Sequence, residues 1–138
     1  MQHHHDVRAA RERLGGEQVA EQTAHDFWGD LRDCRLAPFT GPVLWRVSLP
    51  PHAAPLPIPA APLIDWGGAL RWYADVPAGT DVRALARAAG GTAACWRGAP
   101  PGERFHPLPE TLATLHRRLK GRFDPGGLFN RGRLLADL

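Results

Sequence analysis

The spacing of apolar residues changes several times along the chain, and each spacing predicts one kind of secondary structure. Helical spacing predicts four helices, over residues 6–14, 17–33, 81–89 and 108–123. The last has the clearest apolar stripe, with residues three or four positions apart at Leu112, Leu115, Leu119 and Phe123. Glycine pairs follow the first and third segments, as expected where helices end.

Alternating apolar and polar positions predict four strands. The stretch VLWRVSL, residues 43–49, is the first, and LIDWGGALRWYADV, residues 63–76, predicts two more that are joined at its Gly-Gly turn. GTAACWR, residues 91–97, predicts the fourth. Six prolines between residues 50 and 62 exclude a helix or a central strand there, so this segment is predicted to be an extended surface connection.

This order of elements predicts an α+β domain with a four-stranded antiparallel sheet, because three strands follow one another and the fourth comes after a helix. Helices are expected to cover one face of the sheet. The other face would be lined by Arg46, Ser48 and Arg71. A sheet face that carries two arginines is either solvated or docked against another surface.

Length and composition fit one ordinary globular domain of 138 residues, with 43% hydrophobic and 22% charged residues. No apolar run approaches the roughly 20 residues of a membrane helix, and no signal peptide follows Met1. The three histidines at positions 3–5 suggest that residues 1–7 are disordered or tag-like. Cys34 and Cys95 lack metal-ligand spacing, and we expect reduced thiols in a cytoplasmic protein.

The basic residues are almost all arginine. The formal net charge is +3, and Lys120 is the single lysine among 17 lysines and arginines. A GC-rich genome accounts for this bias better than a specific ligand does. No basic run is interleaved with aromatic residues, so no nucleic-acid partner is expected.

The sequence contains no phosphate-binding loop, zinc-protease motif or serine-hydrolase motif. Its histidines are scattered, which is more typical of surface or packed positions than of a catalytic base. Arg46 and Arg71, on neighbouring predicted strands, are candidates to hold a substrate carboxylate, since a guanidinium offers it two N–H groups. The alternative is that both arginines simply face solvent.

Three stretches of the chain together resemble a known family. LHRRLKGRFDPGGLFNRGRLLADL, residues 115–138, is similar to the K-x-x-F-D-P-x-G-x-F-N-P-G-R signature of flavin oxidases of the vanillyl-alcohol oxidase type. LIDWGGALRWYAD and LWRVSLP, with RERLGGEQV and FWGDLRD nearer the start, resemble the FAD-binding subunits (E subunits) of bacterial glycolate oxidases. The resemblance covers nearly the whole chain from about Arg8.

The resemblance implies a cap domain over residues 8–123 with a ferredoxin-like fold. It also implies a tail over residues 124–138 that returns to an FAD-binding domain. That domain, of roughly two hundred residues, has no counterpart in this chain. The chain would therefore be a C-terminal cap portion that binds no FAD and is inactive alone, whether it is an engineered piece, a fragment or a split gene product.

The resemblance also implies a reaction. The complete complex would oxidise glycolate, a small 2-hydroxy acid, to glyoxylate and pass electrons through flavin to an iron–sulfur subunit. Its partners would be that subunit and a flavin catalytic subunit, in the cytoplasm or at the membrane through the complex. Asn130 and Trp66 are the expected cofactor-side residues, and Arg71 and Arg46 the expected carboxylate clamp.

Two places depart from the family pattern. Arg131 stands where proline is usual. Relatives often have a G-D-G-N-L-H hairpin whose histidine binds a divalent metal, whereas this chain has GGALR, residues 67–71. A charged arginine has no lone pair for a metal, so no metal is expected, and Arg71 would place a fixed positive charge near the substrate carboxylate or the flavin.

A non-catalytic subunit-interaction or assembly module is the alternative function. Such a module would dock through Trp66, Tyr73 and the proline-rich loop, because aromatic residues are enriched at interface cores. Retention of FAD by the purified chain would contradict the expectation that it cannot bind the cofactor alone.

The turn at Pro125 is sufficient to end the last helix, and the tail is expected to be firmly held only to about that residue.

Overall fold

A computed structural model describes residues 2–99 and 104–133, with side chains from residue 8 onward. The chain forms two compact units that divide after Leu36. The first contains two helices, α1 (Gln2–Leu14) and α2 (Glu21–Arg32). Residues 2–7 lie in α1, and the expectation that residues 1–7 are a disordered or tag-like N-terminus stays a prediction.

The second unit contains the sheet, and its elements follow the predicted order. They are β1 (Leu44–Ser48), β2 (Leu63–Asp65), β3 (Leu70–Ala74), α3 (Val82–Ala88), β4 (Thr92–Arg97) and α4 (Glu110–Phe123). Short 3-10 turns lie at Ala37–Phe39 and Trp66–Gly68. The Asp81 side chain caps α3 by accepting a hydrogen bond from the Ala84 N–H at 2.9 Å, which satisfies one of the free donors at the helix start.

The sheet has the strand order β2-β3-β1-β4, and every neighbouring pair is antiparallel. The predicted α+β class and four-stranded antiparallel sheet are therefore confirmed. The ferredoxin-like label stays a prediction. That pattern has a helix between its first two strands, whereas here the proline-rich segment makes this connection.

The main core lies on one face of the sheet. It joins strand residues to α3 and to the proline-rich segment, and its buried members are Val47, Leu49, Leu56, Ile58, Tyr73, Val82, Ala86 and Ala93. The segment between β1 and β2 was predicted to be a surface connection, but Leu56 and Ile58 are buried. Prolines exclude helix and ladder hydrogen bonds, yet they leave the intervening apolar side chains able to fill the core.

The predicted apolar stripe of α4 lies at the surface. Ala113 is the buried residue of this helix, whereas Leu112, Leu115, Leu119 and Phe123 are all exposed. The predicted helical cover of the sheet is thus provided by α3 together with the proline-rich segment. No helix in the described part of the chain is long and apolar enough to cross a membrane.

Candidate functional site

Arg71 is buried on the core face of the sheet, where its side chain is 5% exposed. It pairs with Val47 across β3 and β1. Its guanidinium donates hydrogen bonds to the carbonyl oxygens of Ala54 at 2.8 Å, of Ala53, and of Gly68 at 3.4 Å. Arg71 therefore ties the proline-rich segment to the turn between β2 and β3.

Arg46 lies on the opposite face of the same sheet. Its guanidinium carbon is 5.9 Å from the ring centroid of Trp72, within the range of a cation–π contact. Trp72 packs edge-on against Phe39 and Trp96, at centroid separations of 5.3 and 5.6 Å. This second face consequently presents one arginine beside an aromatic cluster whose outer member, Trp96, is half exposed.

The predicted two-arginine clamp is therefore wrong in its geometry. Arg46 is paired with Trp72 and Arg71 with Val47, so the two arginines occupy successive rungs of the ladder. Side chains on successive residue pairs point to opposite faces of a sheet. Of the three residues predicted to line the second face, Arg46 and Ser48 lie there and Arg71 does not.

Trp66 lies at the exposed end of the β2–β3 hairpin and is 75% exposed. Its backbone has a φ of 50°, which is uncommon for a bulky residue, and its N–H donates to the Asp65 carboxylate at 2.7 Å. Tyr73, the other aromatic residue proposed for docking, is 1% exposed. Its docking role is wrong, because β3 directs its ring into the core beside Val47.

Asn130 lies in an open depression of about 430 Å³ beside the last helix. The described residues that line it are Phe105, His116, Leu119, Lys120, Phe123, Asn130 and Arg133. The wall thus combines apolar side chains with basic groups and one amide. Trp66 is not one of these residues, so the two predicted cofactor-side residues do not line the same depression.

The loop that carries Asn130 is organised around Asp124. One carboxylate oxygen accepts the Leu128 N–H at 2.9 Å, and the other accepts the Phe129 N–H at 2.9 Å and a hydrogen bond from Lys120 Nζ. Lys120 Nζ also donates to the Phe129 carbonyl oxygen. The hydrogen bond from Lys120, followed by those from the two amides, lowers the pKa of Asp124 to about 2.

Arg131 closes the same loop from its other side. Its guanidinium donates to the carbonyl oxygen of Gly127 and, at 3.4 Å, to that of Gly126. The tail was expected to be held only to about Pro125, but these hydrogen bonds continue beyond it. Residues 134–138 of the predicted tail lie outside the described residues.

Sequence reasoning missed the shared role of Lys120, Asp124 and Arg131. A signal was present in the sequence, since the only lysine stands four residues before the aspartate that ends α4, a spacing at which side chains meet on a helix. Within the residues that the structure describes, no group of three or more His, Cys, Asp and Glu residues could hold a metal ion.

His106 contacts β4, an edge strand of the sheet. Its Nδ1 accepts the Ala93 N–H at 3.2 Å, and the neighbouring Arg104 carbonyl oxygen accepts the Cys95 N–H at 2.8 Å. Burial, followed by the charges of Arg87 and Arg83, lowers the pKa of His106. Cys95 on the same strand is buried, and burial raises the pKa of its thiol. This indicates an inert structural cysteine.

Acidification below the usual histidine pKa of about 6.5 should destabilise the second unit. The folded-state pKa of His106 is lower than the unfolded one, so the unfolded chain binds more protons in this range. The contribution of His106 is complete above about pH 6.5 and is lost as pH falls toward the folded-state pKa. Urea unfolding between pH 7 and 5 measures this loss.

His106→Asn is the matched control for this pH effect. Its side-chain oxygen preserves an acceptor for the Ala93 N–H but does not titrate. The variant should show a clearly shallower decline in stability between pH 7 and 5. Equal declines in the two proteins would contradict the assignment of this pH effect to His106. Asp33 and Asp124 do not account for it, because their pKa values are lowered to about 2 and their contributions to stability are lost at lower pH.

Comparison with known proteins identifies a relative. Glycolate oxidase subunit GlcE of Escherichia coli (strain K12) is 45% identical to the chain over 133 residues. The chain is homologous to a portion of GlcE. The match includes 96% of this chain, which confirms the resemblance to the E subunits of bacterial glycolate oxidases.

The chain spans 36% of the length of GlcE. No family model matches the chain, and no solved structure matches it significantly.

Proposed function

We propose that the chain acts as the C-terminal cap region of an FAD-binding subunit in a glycolate oxidase complex. The observation that carries this proposal is the 45% identity to GlcE across almost the whole chain. The substrate would be glycolate and the product glyoxylate, with electrons passing from FAD to an iron–sulfur subunit. This chain would contribute the cap and tail residues to the complex, and it would have no activity by itself.

The side chains around Asn130 are suited to a position beside FAD. Asn130 offers an amide that can both donate and accept, which suits the mixed polar edge of a flavin ring. The depression around it is mainly apolar, as expected of a surface that shelters a planar ring. When bound, FAD would accept the hydride that glycolate loses. The residues of this chain would bind and orient the substrate and the flavin.

Arg46 is the better supported candidate for the substrate carboxylate. It lies on the sheet face away from the main core, and its guanidinium is placed beside the Trp72 ring. A guanidinium on an aromatic ring can still bind a carboxylate through its N–H edge. Arg71, by contrast, uses its donors on carbonyl oxygens within the fold, and we propose a structural role for it.

Arg46→Ala in the complete subunit, assembled with its partners, should raise KM for glycolate about tenfold. A lost charge-assisted hydrogen bond costs roughly 1.5 kcal/mol or more, which corresponds to that factor. Steady-state kinetics with glycolate and the flavin absorption spectrum are the measurements. Arg87→Ala is the matched control, because Arg87 is an exposed arginine on α3, which packs on the opposite face.

An unchanged KM for glycolate and an unchanged flavin spectrum in Arg46→Ala would refute the carboxylate role. The exposed Trp66 and its neighbour Ile64 favour the second candidate, a subunit-interaction module, because both place apolar surface at the edge of the sheet. Loss of a partner subunit during purification of Trp66→Ala, with unchanged KM in Arg46→Ala, would favour that alternative.

A further inference from the structure

The segment after α4 has a composition that ordinarily gives a flexible turn. It contains Pro125, Gly126 and Gly127, and glycine gains more backbone freedom on unfolding than any other residue. Gly127 has a φ of 58° and Asn130 a φ of 50°. A loop of this kind retains one conformation only if other contacts compensate the lost entropy.

Three side chains provide those contacts. Asp124 and Lys120 connect the end of α4 to the backbone of Leu128 and Phe129, and Arg131 reaches back to the glycine carbonyls. The Asp124 side chain is 9% exposed, although it carries a charge. Its oxygens accept three hydrogen bonds, which is the condition under which a charged group is tolerated out of water.

We propose that Lys120, Asp124 and Arg131 form a latch that fixes the loop 124–131, and with it the position of Asn130, before any partner or cofactor is present. The latch consists of contacts within this chain and needs no other molecule. It turns the polar backbone of the loop toward Lys120 and Asp124. The side chains of Leu128 and Phe129 remain exposed at the surface.

The latch also accounts for the arginine at position 131. Proline, which is usual there in the resembling family, restricts the backbone by fixing φ. Arg131 restricts the same loop differently, through hydrogen bonds from its guanidinium to Gly126 and Gly127. The two residues can therefore serve one purpose, which is to limit the conformations of the loop that contains Asn130.

Amide hydrogen exchange measured by NMR on this chain tests the latch directly. Asp124→Asn and Lys120→Met should each accelerate exchange of the Leu128 and Phe129 amides at least tenfold and shift the Asn130 side-chain amide signal. Because Lys120 is the only lysine, its ammonium signal can be assigned without ambiguity. Arg131→Ala should shift the Asn130 signal in the same direction.

Glu110→Gln is the matched control. It removes the ion pair between Glu110 and Arg117, 3.0 Å apart, at the other end of α4. This variant should leave exchange at Leu128 and Phe129 unchanged. Equal exchange rates in the native chain, Asp124→Asn and Lys120→Met would overturn the latch, as would acceleration of the same size in Glu110→Gln.

The significance of the latch for catalysis rests on the proposed function. In the complete subunit, Lys120→Met and Asn130→Ala should each weaken FAD binding, and the double variant should bind no more weakly than the single ones. That result would show that Lys120 acts through Asn130. Faster amide exchange with unaltered FAD affinity would support the latch and refute the flavin role of Asn130.

Discussion

Arg71→Ala should lower the free energy of unfolding by about 3 kcal/mol, a large fraction of the stability of a domain this size. The substitution removes donors from the carbonyl oxygens of Ala53, Ala54 and Gly68. Hydrogen bonds from a charged group contribute roughly 1.5 to 3 kcal/mol each when buried, and partial access of water to the loop reduces the sum. Urea unfolding followed by tryptophan fluorescence measures the change.

Two variants separate this role from a general effect of charge. Arg71→Lys retains the charge but offers a single donor group, so it should recover only part of the lost stability. Arg46→Ala removes an arginine from the opposite face and should cost less than about 1 kcal/mol. Similar losses in Arg71→Ala and Arg46→Ala would show that the contacts to the proline-rich segment contribute little.

Gly68→Ala should also destabilise the fold by about 3 kcal/mol, for a reason of backbone geometry. Gly68 has a φ of 97°, a conformation that residues with a Cβ rarely adopt. A Cβ at this position would also lie 2.8 Å from the Pro51 carbonyl oxygen, which is backbone and cannot rotate away. The turn and the proline-rich segment would have to separate.

Gly67→Ala is the control for Gly68→Ala. Gly67 has a φ of 60°, but a Cβ there would meet no atom within 4 Å. This variant should therefore cost only the backbone strain, about 1 kcal/mol. Thermal unfolding of the two variants measures the difference. Equal melting temperatures would mean that the close approach to Pro51 makes no contribution to stability.

Arg71 and Gly68 both lie at the contact between the proline-rich segment and the hairpin turn. Arg71 holds the carbonyls of Ala53 and Ala54, and Gly68 permits the backbone of Pro51 to approach. Leu56 and Ile58 then lie in the core. The segment thus covers the sheet beside α3, although it has no helix of its own.

Secondary structure followed closely from local sequence patterns. The alternation in VLWRVSL and the Gly-Gly turn in LIDWGGALRWYADV gave the strands within about two residues, and the glycine pairs marked the helix ends. These signals are local, because each depends on a backbone period or on positive φ at particular residues. The sequence resemblance likewise identified the GlcE relationship before any structural information.

The site was less predictable, and the clearest failure was the Arg46–Arg71 clamp. Each arginine was assigned to a correct strand, but a shift of one residue between β1 and β3 exchanges the faces. Nothing in either strand sequence alone sets that register. The stripe on α4 correctly predicted a helix, but its spacing does not reveal whether other residues cover the stripe, and in the structure its side chains are exposed.

The sequence by itself therefore determined the α+β class, the order of the elements and the relationship to GlcE, because these depend on local periodicity and residue identity. Only the tertiary structure decided that Arg71 is buried, that Arg46 faces the other way, and that Asp124 organises the loop of Asn130. The physical reason is that burial and hydrogen-bond partners depend on strand register and on contacts between residues far apart in the chain, such as Arg71 with Ala53.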